Sequence, residues 1–96
     1  MKIAEILGQK RRDILRIAAK YGARKVSVFG SVARGEDREN SDIDILVELE
    51  PGRSLLDLGA LWSELNELLN CPVEVFTAMS LRENVRERAL LEAVPI

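Results

Sequence analysis

Asp42 and Asp44 stand one residue apart in the run SDIDILVE, and their spacing is the first feature of this chain that can do chemistry. Side chains alternate faces along a strand, so positions i and i+2 point the same way with Cα atoms roughly 6.6 Å apart. Two carboxylates on one face repel and raise each other's pKa unless a cation stands between them. A divalent metal is the obvious cation. Upstream, Gly30 and Ser31 close the β-rich run KVSVF, where a glycine lets backbone N–H groups approach an anion with no Cβ in the way. A short helical turn over Ser31 to Arg34 would aim its positive end at the same anion, with Arg34 as an added cation. Glu74 is the lone acid of the run PVEVFT, on the face opposite to Val73 and Val75.

Each of these signals is weak alone, since Gly-Ser pairs are mostly ordinary turns and Asp-x-Asp is common on solvent-facing strands. Together they supply a complete two-metal phosphoryl-transfer site. Mg²⁺ prefers oxygen ligands, and two such ions about 3.5 to 4 Å apart can orient the attacking and leaving oxygens of an in-line displacement. Asp42 and Asp44 are expected to bridge the metals. Glu74 is expected to hold the catalytic metal and to accept a proton from the attacking hydroxyl. A P-loop is excluded because no lysine-serine or lysine-threonine completes it, and an EF-hand because Leu46 takes the next alternate position with no glycine after it. The absence of histidine removes serine-histidine, cysteine-histidine and histidine-metal chemistry.

The elements that must position these residues follow from periodicity. Ile3, Ile6, Leu7, Ile14, Ile17, Ala18 and Tyr21 recur at helical spacing, with Gly22 as the stop. Lys25 to Phe29 and Asp42 to Leu49 alternate as strands, joined by the polar loop RGEDRENS. After Pro51-Gly52, Ser54 and Asp57 form a capping box for a helix whose stripe is Leu55, Leu58, Leu61, Trp62, Leu65, Leu68 and Leu69. Trp62 is placed in the core, with a contact surface as the alternative. Asn70 and Pro72 end that helix, Pro72 to Thr77 is a third strand, and Ser80 with Glu83 caps a last helix running to about Ala93. The loop between the first two strands is too short for a crossover helix, which makes that pair antiparallel, whereas the third strand can be parallel. The fold expected is α+β, in the order αββαβα, with a small mixed β-sheet and helices packed on one face.

Composition bounds the rest. Ninety-six residues with 47% hydrophobic and 31% charged side chains describe one small globular domain, residues 1–96, with a modest core. A formal charge of -2 provides no global attraction to nucleic acid or membrane, so no direct nucleic-acid binding is expected. No apolar run approaches the roughly 18 residues of a membrane span, and the amphipathic start MKIAEILGQKRRDIL lacks a signal-peptide core. The chain is therefore read as cytoplasmic. Cys71 cannot form an internal disulfide and is expected to be a small buried apolar residue. Arg82, Arg86 and Arg88 are read as a solvated helix face, with partner docking as the alternative, and Lys10, Arg11 and Arg12 likewise.

Gly30-Ser31, then Ser41-Asp42-Ile43-Asp44 and the later acid Glu74, resemble the nucleotidyltransferase superfamily that includes DNA polymerase beta. The resemblance runs from the first helix to the closing RERALLEAVPI and is strongest to the minimal nucleotidyltransferase proteins. It implies the palm-like fold, with Gly30, Ser31, Arg34 and Ser41 holding the nucleotide and Asp42, Asp44 and Glu74 holding two Mg²⁺. It also implies transfer of AMP from ATP to an acceptor hydroxyl, with release of pyrophosphate. Such proteins commonly act as antitoxins that modify a tyrosine on a HEPN-domain ribonuclease toxin. The family's third acid is usually aspartate; Glu74 is one methylene longer, which keeps open a second reading, an antitoxin that neutralises its partner by binding alone. With no second domain to grip the acceptor, specificity is expected from the partner or from a second copy of the chain.

Overall fold

The computed structural model describes residues 3–36 and 42–96. In chain order these form α1 (Ile3–Lys20), β1 (Ala23–Phe29), β2 (Ile43–Leu49), α2 (Leu55–Leu69), β3 (Val73–Thr77), a 3-10 turn (Ala78–Ser80), α3 (Glu83–Glu92) and β4 (Val94–Pro95). The expected order αββαβα is present, with β4 added at the end. The strands make one mixed sheet, ordered β3-β2-β1-β4. β2 pairs antiparallel with β1 and parallel with β3, as the two connection lengths dictate. The extra strand pairs antiparallel with β1 through Ser27↔Pro95 and Val28↔Val94, and its two residues are too few to give a period-2 signal.

The main core lies between one face of the sheet and the two long helices. Ile43, Ile45 and Val47 alternate onto that face from β2, Val26 and Val28 from β1 and Val73 from β3. Against them pack Ile3, Leu7, Ile14 and Ala18 of α1 and Leu61, Leu65 and Leu69 of α2. Burying each large side chain of this set stabilises the fold by about 1.5–3 kcal/mol before entropy is charged against it. The helix stripe is narrower than its leucines imply. Leu55 is 82% exposed and Trp62 50% exposed, so Trp62 is not a core residue. It falls one position past Leu61, and a helix turns about 100° per residue, which carries it off the buried row. Cys71 is half-buried against this core, and burial pushes its thiol pKa up.

The expectation that the helices share one face holds for α1 and α2 only. A second, smaller cluster of Phe29, Leu46, Leu81 and Ala89 places α3 on the opposite face, with the Phe29 and Phe76 rings edge to face at 5.6 Å. The cause is local: Phe29 and Leu46 are the apolar members of the otherwise polar alternate rows of β1 and β2, and they need cover. Arg86 fastens α3 there, its Nε donating to the Ala78 carbonyl at 2.8 Å and another guanidinium nitrogen to Leu81 at 3.0 Å. Arg86 is thus a tie and not part of a solvated face.

Both predicted capping boxes can be checked. At α2 the Ser54 hydroxyl accepts from the Leu56 N–H at 3.2 Å while Asp57 accepts from the Ser54 N–H at 3.0 Å, as expected. At α3 the box is absent. Arg82 is the N-cap without a side-chain bond, and Ser80 instead closes the 3-10 turn, its hydroxyl accepting from the Thr77 N–H at 3.1 Å and donating to the Thr77 carbonyl at 2.8 Å. The helix begins only at Glu83, so Glu83 is its first residue and not its third, and Ser80 is not the N-cap.

Candidate active site

One end of the α3-side face gathers the residues that the sequence singled out. β2 begins there, and Asp44 alternates onto this face between two neighbours: Phe29 of antiparallel β1 on one side and Glu74 of parallel β3 on the other. Asp44 and Glu74 are direct register partners. Asp42 lies two residues upstream on an exposed stretch, and Glu74 is exposed on the edge strand. Burial, then the charges of Glu74 and Asp42, hold the Asp44 carboxyl above the ordinary carboxylate range, while Arg34 pulls it back. The Asp44 carboxyl therefore feels two further acids and one guanidinium.

Gly30 follows β1 with φ +76°, a left-handed conformation that glycine adopts freely. A Cβ placed there would lie 2.6 Å from Asp44 Oδ2, so the glycine also makes room for that carboxylate. The chain then turns helically: the Arg34 N–H reaches the Gly30 carbonyl at 3.1 Å, Gly35 reaches Val32 at 3.1 Å and Glu36 reaches Ser31 at 2.8 Å. Among the described residues the N–H groups of Ser31, Val32 and Ala33 have no backbone partner, as is usual for donors at the start of a helical turn. Gly30, Ser31 and Arg34, the residues expected to meet phosphate, thus lie in one helical turn beside Asp44. Ser41, the fourth expected nucleotide contact, lies outside the described residues.

Two contacts were not foreseen. Arg34 is held on two edges, Nε to Glu36 at 3.0 Å and a terminal nitrogen to Glu92 of α3 at 2.9 Å, and these acids keep its guanidinium more firmly charged. Asn66 of α2 grips the first residue of β3. Its amide nitrogen donates to the Val73 carbonyl at 3.1 Å and to Trp62 at 2.8 Å, while its carbonyl accepts from the Val73 N–H at 3.0 Å. This sets the start of β3 and hence the position of Glu74. Neither Glu92 nor Asn66 carries a local signal: each looks like a polar residue on a helix until the tertiary fold supplies its partner.

The donor set is oxygen-only and suits a hard divalent ion. The carboxylates are adjacent without being gathered, for among the described residues no three acidic or sulfur side chains converge into a closed ligand cluster. Burial first, and then the charges of Glu74 and Asp42, disfavour the charged form of Asp44, and a cation bound beside it would offset both.

A mixed sheet with paired acids at the start of its central strand, next to a glycine-led turn, defines a nucleotidyl-transfer enzyme class, and the family comparison agrees. Residues 2–96 match the model of the nucleotidyltransferase domain, and the chain belongs to that family. A Methanocaldococcus jannaschii protein, provisionally named a protein adenylyltransferase, is 47% identical over 96 residues, covering 100% of this chain and 99% of the relative. A solved structure described as a minimal nucleotidyltransferase superimposes with a TM-score of 0.86 at 46% identity, covering 96% of this chain and 94% of that one. A toxin-antitoxin crystal structure with AMP-PNP shares the fold, with a TM-score of 0.74 at 20% identity over 88% of this chain and 69% of that one. No helix among the described residues is long and apolar enough to cross a membrane.

Proposed function

We propose that this nucleotidyltransferase moves AMP from ATP to a hydroxyl, that of a tyrosine, on a partner protein, and that the partner is a HEPN-domain toxin which the chain restrains as antitoxin. The observation that carries the reading is the register pairing of Asp44 with Glu74, beside Asp42 and the Gly30 turn. The adenylyltransferase name of the 47% identical relative supports the AMP donor and the protein acceptor. The toxin-antitoxin assembly that shares the fold supports the role at the level of architecture.

The chain's own residues divide the work. The open N–H groups at Ser31 to Ala33 and the Arg34 guanidinium bind and orient the phosphates, with Gly30 letting them approach. Asp42, Asp44 and Glu74 would hold Mg²⁺, which supplies charge neutralisation at the reacting phosphate. Glu74, exposed at the edge, can accept the proton of the incoming hydroxyl. The acceptor oxygen bonds to the α-phosphorus as the bond to pyrophosphate breaks, so the proton ends on the carboxylate and the leaving charge on pyrophosphate.

Incubation of the chain and its partner with ATP labelled on the α or the γ phosphate tests the reading. Partner labelled from α-labelled ATP alone is expected; label from γ-labelled ATP would assign kinase chemistry instead. The open spacing of the acids and the exposure of Glu74 favour a second reading, neutralisation by binding alone. Replacing Asp42 and Asp44 together by alanine separates the two: a folded double variant that still neutralises acts by occlusion, and one that does not acts by catalysis.

A further inference from the structure

The three arginines near α3 have different surroundings. Arg86 is bonded to backbone carbonyls, and Arg82 is exposed ahead of the helix. Arg88 lines a cleft of about 220 Å³ together with Gly30, Arg34, Val85, Ala89 and Glu92. Arg88 and Glu92 are four residues apart and so share one side of the helix. Glu92 bonds Arg34, which turns that side toward the phosphate turn. Among the described residues no carboxylate is ion-paired with Arg88. Two guanidiniums face one carboxylate in the lining, and that carboxylate is engaged in holding Arg34. Arg34 is paired with Glu36 as well as with Glu92, so Arg88 is the lining guanidinium that no described carboxylate pairs, and it stands in a cleft that opens beside the Gly30 turn.

Asp42, Asp44 and Glu74 are not among its lining residues. The cleft shares Gly30 and Arg34 with the helical turn and is also lined by Phe29, the register partner of Asp44, so it adjoins the carboxylate at which the reacting phosphate belongs. We propose that Arg88 binds the pyrophosphate end of the nucleoside triphosphate in this cleft, beyond Arg34, and so selects triphosphates over monophosphates. The β and γ phosphates carry most of the substrate's charge and depart together, which suits two guanidiniums and leaves the α-phosphate to the acids. This inference rests on the proposed nucleotidyl transfer.

Calorimetric titration of the full chain in Mg²⁺ buffer with inorganic pyrophosphate, and separately with AMP, provides the test. Arg88 is exposed, so its replacement should not unfold the chain. Arg88→Ala is expected to weaken pyrophosphate binding about 10-fold and leave AMP binding unchanged, with Arg88→Lys recovering part of the loss. Wild-type pyrophosphate affinity in Arg88→Ala, or equal loss for pyrophosphate and AMP, would overturn the assignment. The α-label assay on the wild type keeps the two levels apart: transfer by the wild type with undiminished pyrophosphate binding in Arg88→Ala defeats only the arginine. Absence of both transfer and nucleotide binding in the wild type defeats the underlying reading as well.

Discussion

At the scale of single residues, the site depends on how closely backbone and carboxylate approach. Gly30 combines a positive φ with the close approach of Asp44, so Gly30→Ala meets two obstacles at once. It is expected to cost about 1–2 kcal/mol in urea unfolding and to reduce nucleotidyl transfer on the order of 100-fold, because the displaced group is Asp44 itself. Asp44 also links stability to pH. Its folded pKa lies above the ordinary 3.8, so the folded state holds the proton more tightly than the unfolded chain does. Its contribution to stability is therefore fully present below the unfolded value and is lost as pH rises through the folded pKa. Asp44→Asn is expected to abolish transfer in the presence of Mg²⁺, yet in metal-free protein to raise Tm at neutral pH and to remove the part of the fall in Tm that begins near pH 3.8 and extends upward. Thermal melts across pH, with and without Mg²⁺, check this; a lower Tm for the variant at neutral pH would contradict it.

At the scale of elements, the edge strand that carries Glu74 is held in place by a neighbouring helix as well as by its ladder with β2. Asn66 satisfies both backbone groups of Val73, and an apolar replacement leaves them without their side-chain partner. Asn66→Ala is expected to cost about 1–3 kcal/mol and to speed hydrogen exchange at the Val73 amide relative to Val75. Equal protection of the two amides in wild type and variant would refute the clamp. The same element shows why α3 matters to the site. Its packing on Phe29 and Leu46 and the Arg86 tie bring Glu92 to Arg34, so a helix remote in sequence shapes the phosphate turn.

At the scale of the whole molecule, a 96-residue chain has little stability to lose, with about 5–15 kcal/mol typical of a folded domain. Leu61 is fully buried between α1 and the sheet, whereas its neighbour Trp62 is half exposed. Leu61→Ala is expected to cost about 2–5 kcal/mol, against about 0.5 kcal/mol or less for Trp62→Ala, measured by denaturant unfolding. A large loss on truncating Trp62 would return it to the core that its place in the leucine row implied. Among the described residues, periodicity identified α1, α2, α3, β1, β2 and β3, because amphipathic spacing is a local property of the chain. It did not place Trp62, Arg86 or the two-residue β4, whose surroundings come from segments distant in sequence.

The sequence alone determined the donors of the site and their grouping: alternation puts Asp42 and Asp44 on one face, a glycine closes the preceding strand, and Glu74 opposes Val73 and Val75. Those are consequences of backbone periodicity and need no long-range contact. Only the tertiary structure decided that Glu74 stands beside Asp44, that α3 crosses to the acidic face and that Glu92 holds Arg34. Strand register and the face a helix covers depend on how buried surfaces from separate segments fit together, and that choice is made by packing rather than by local pattern.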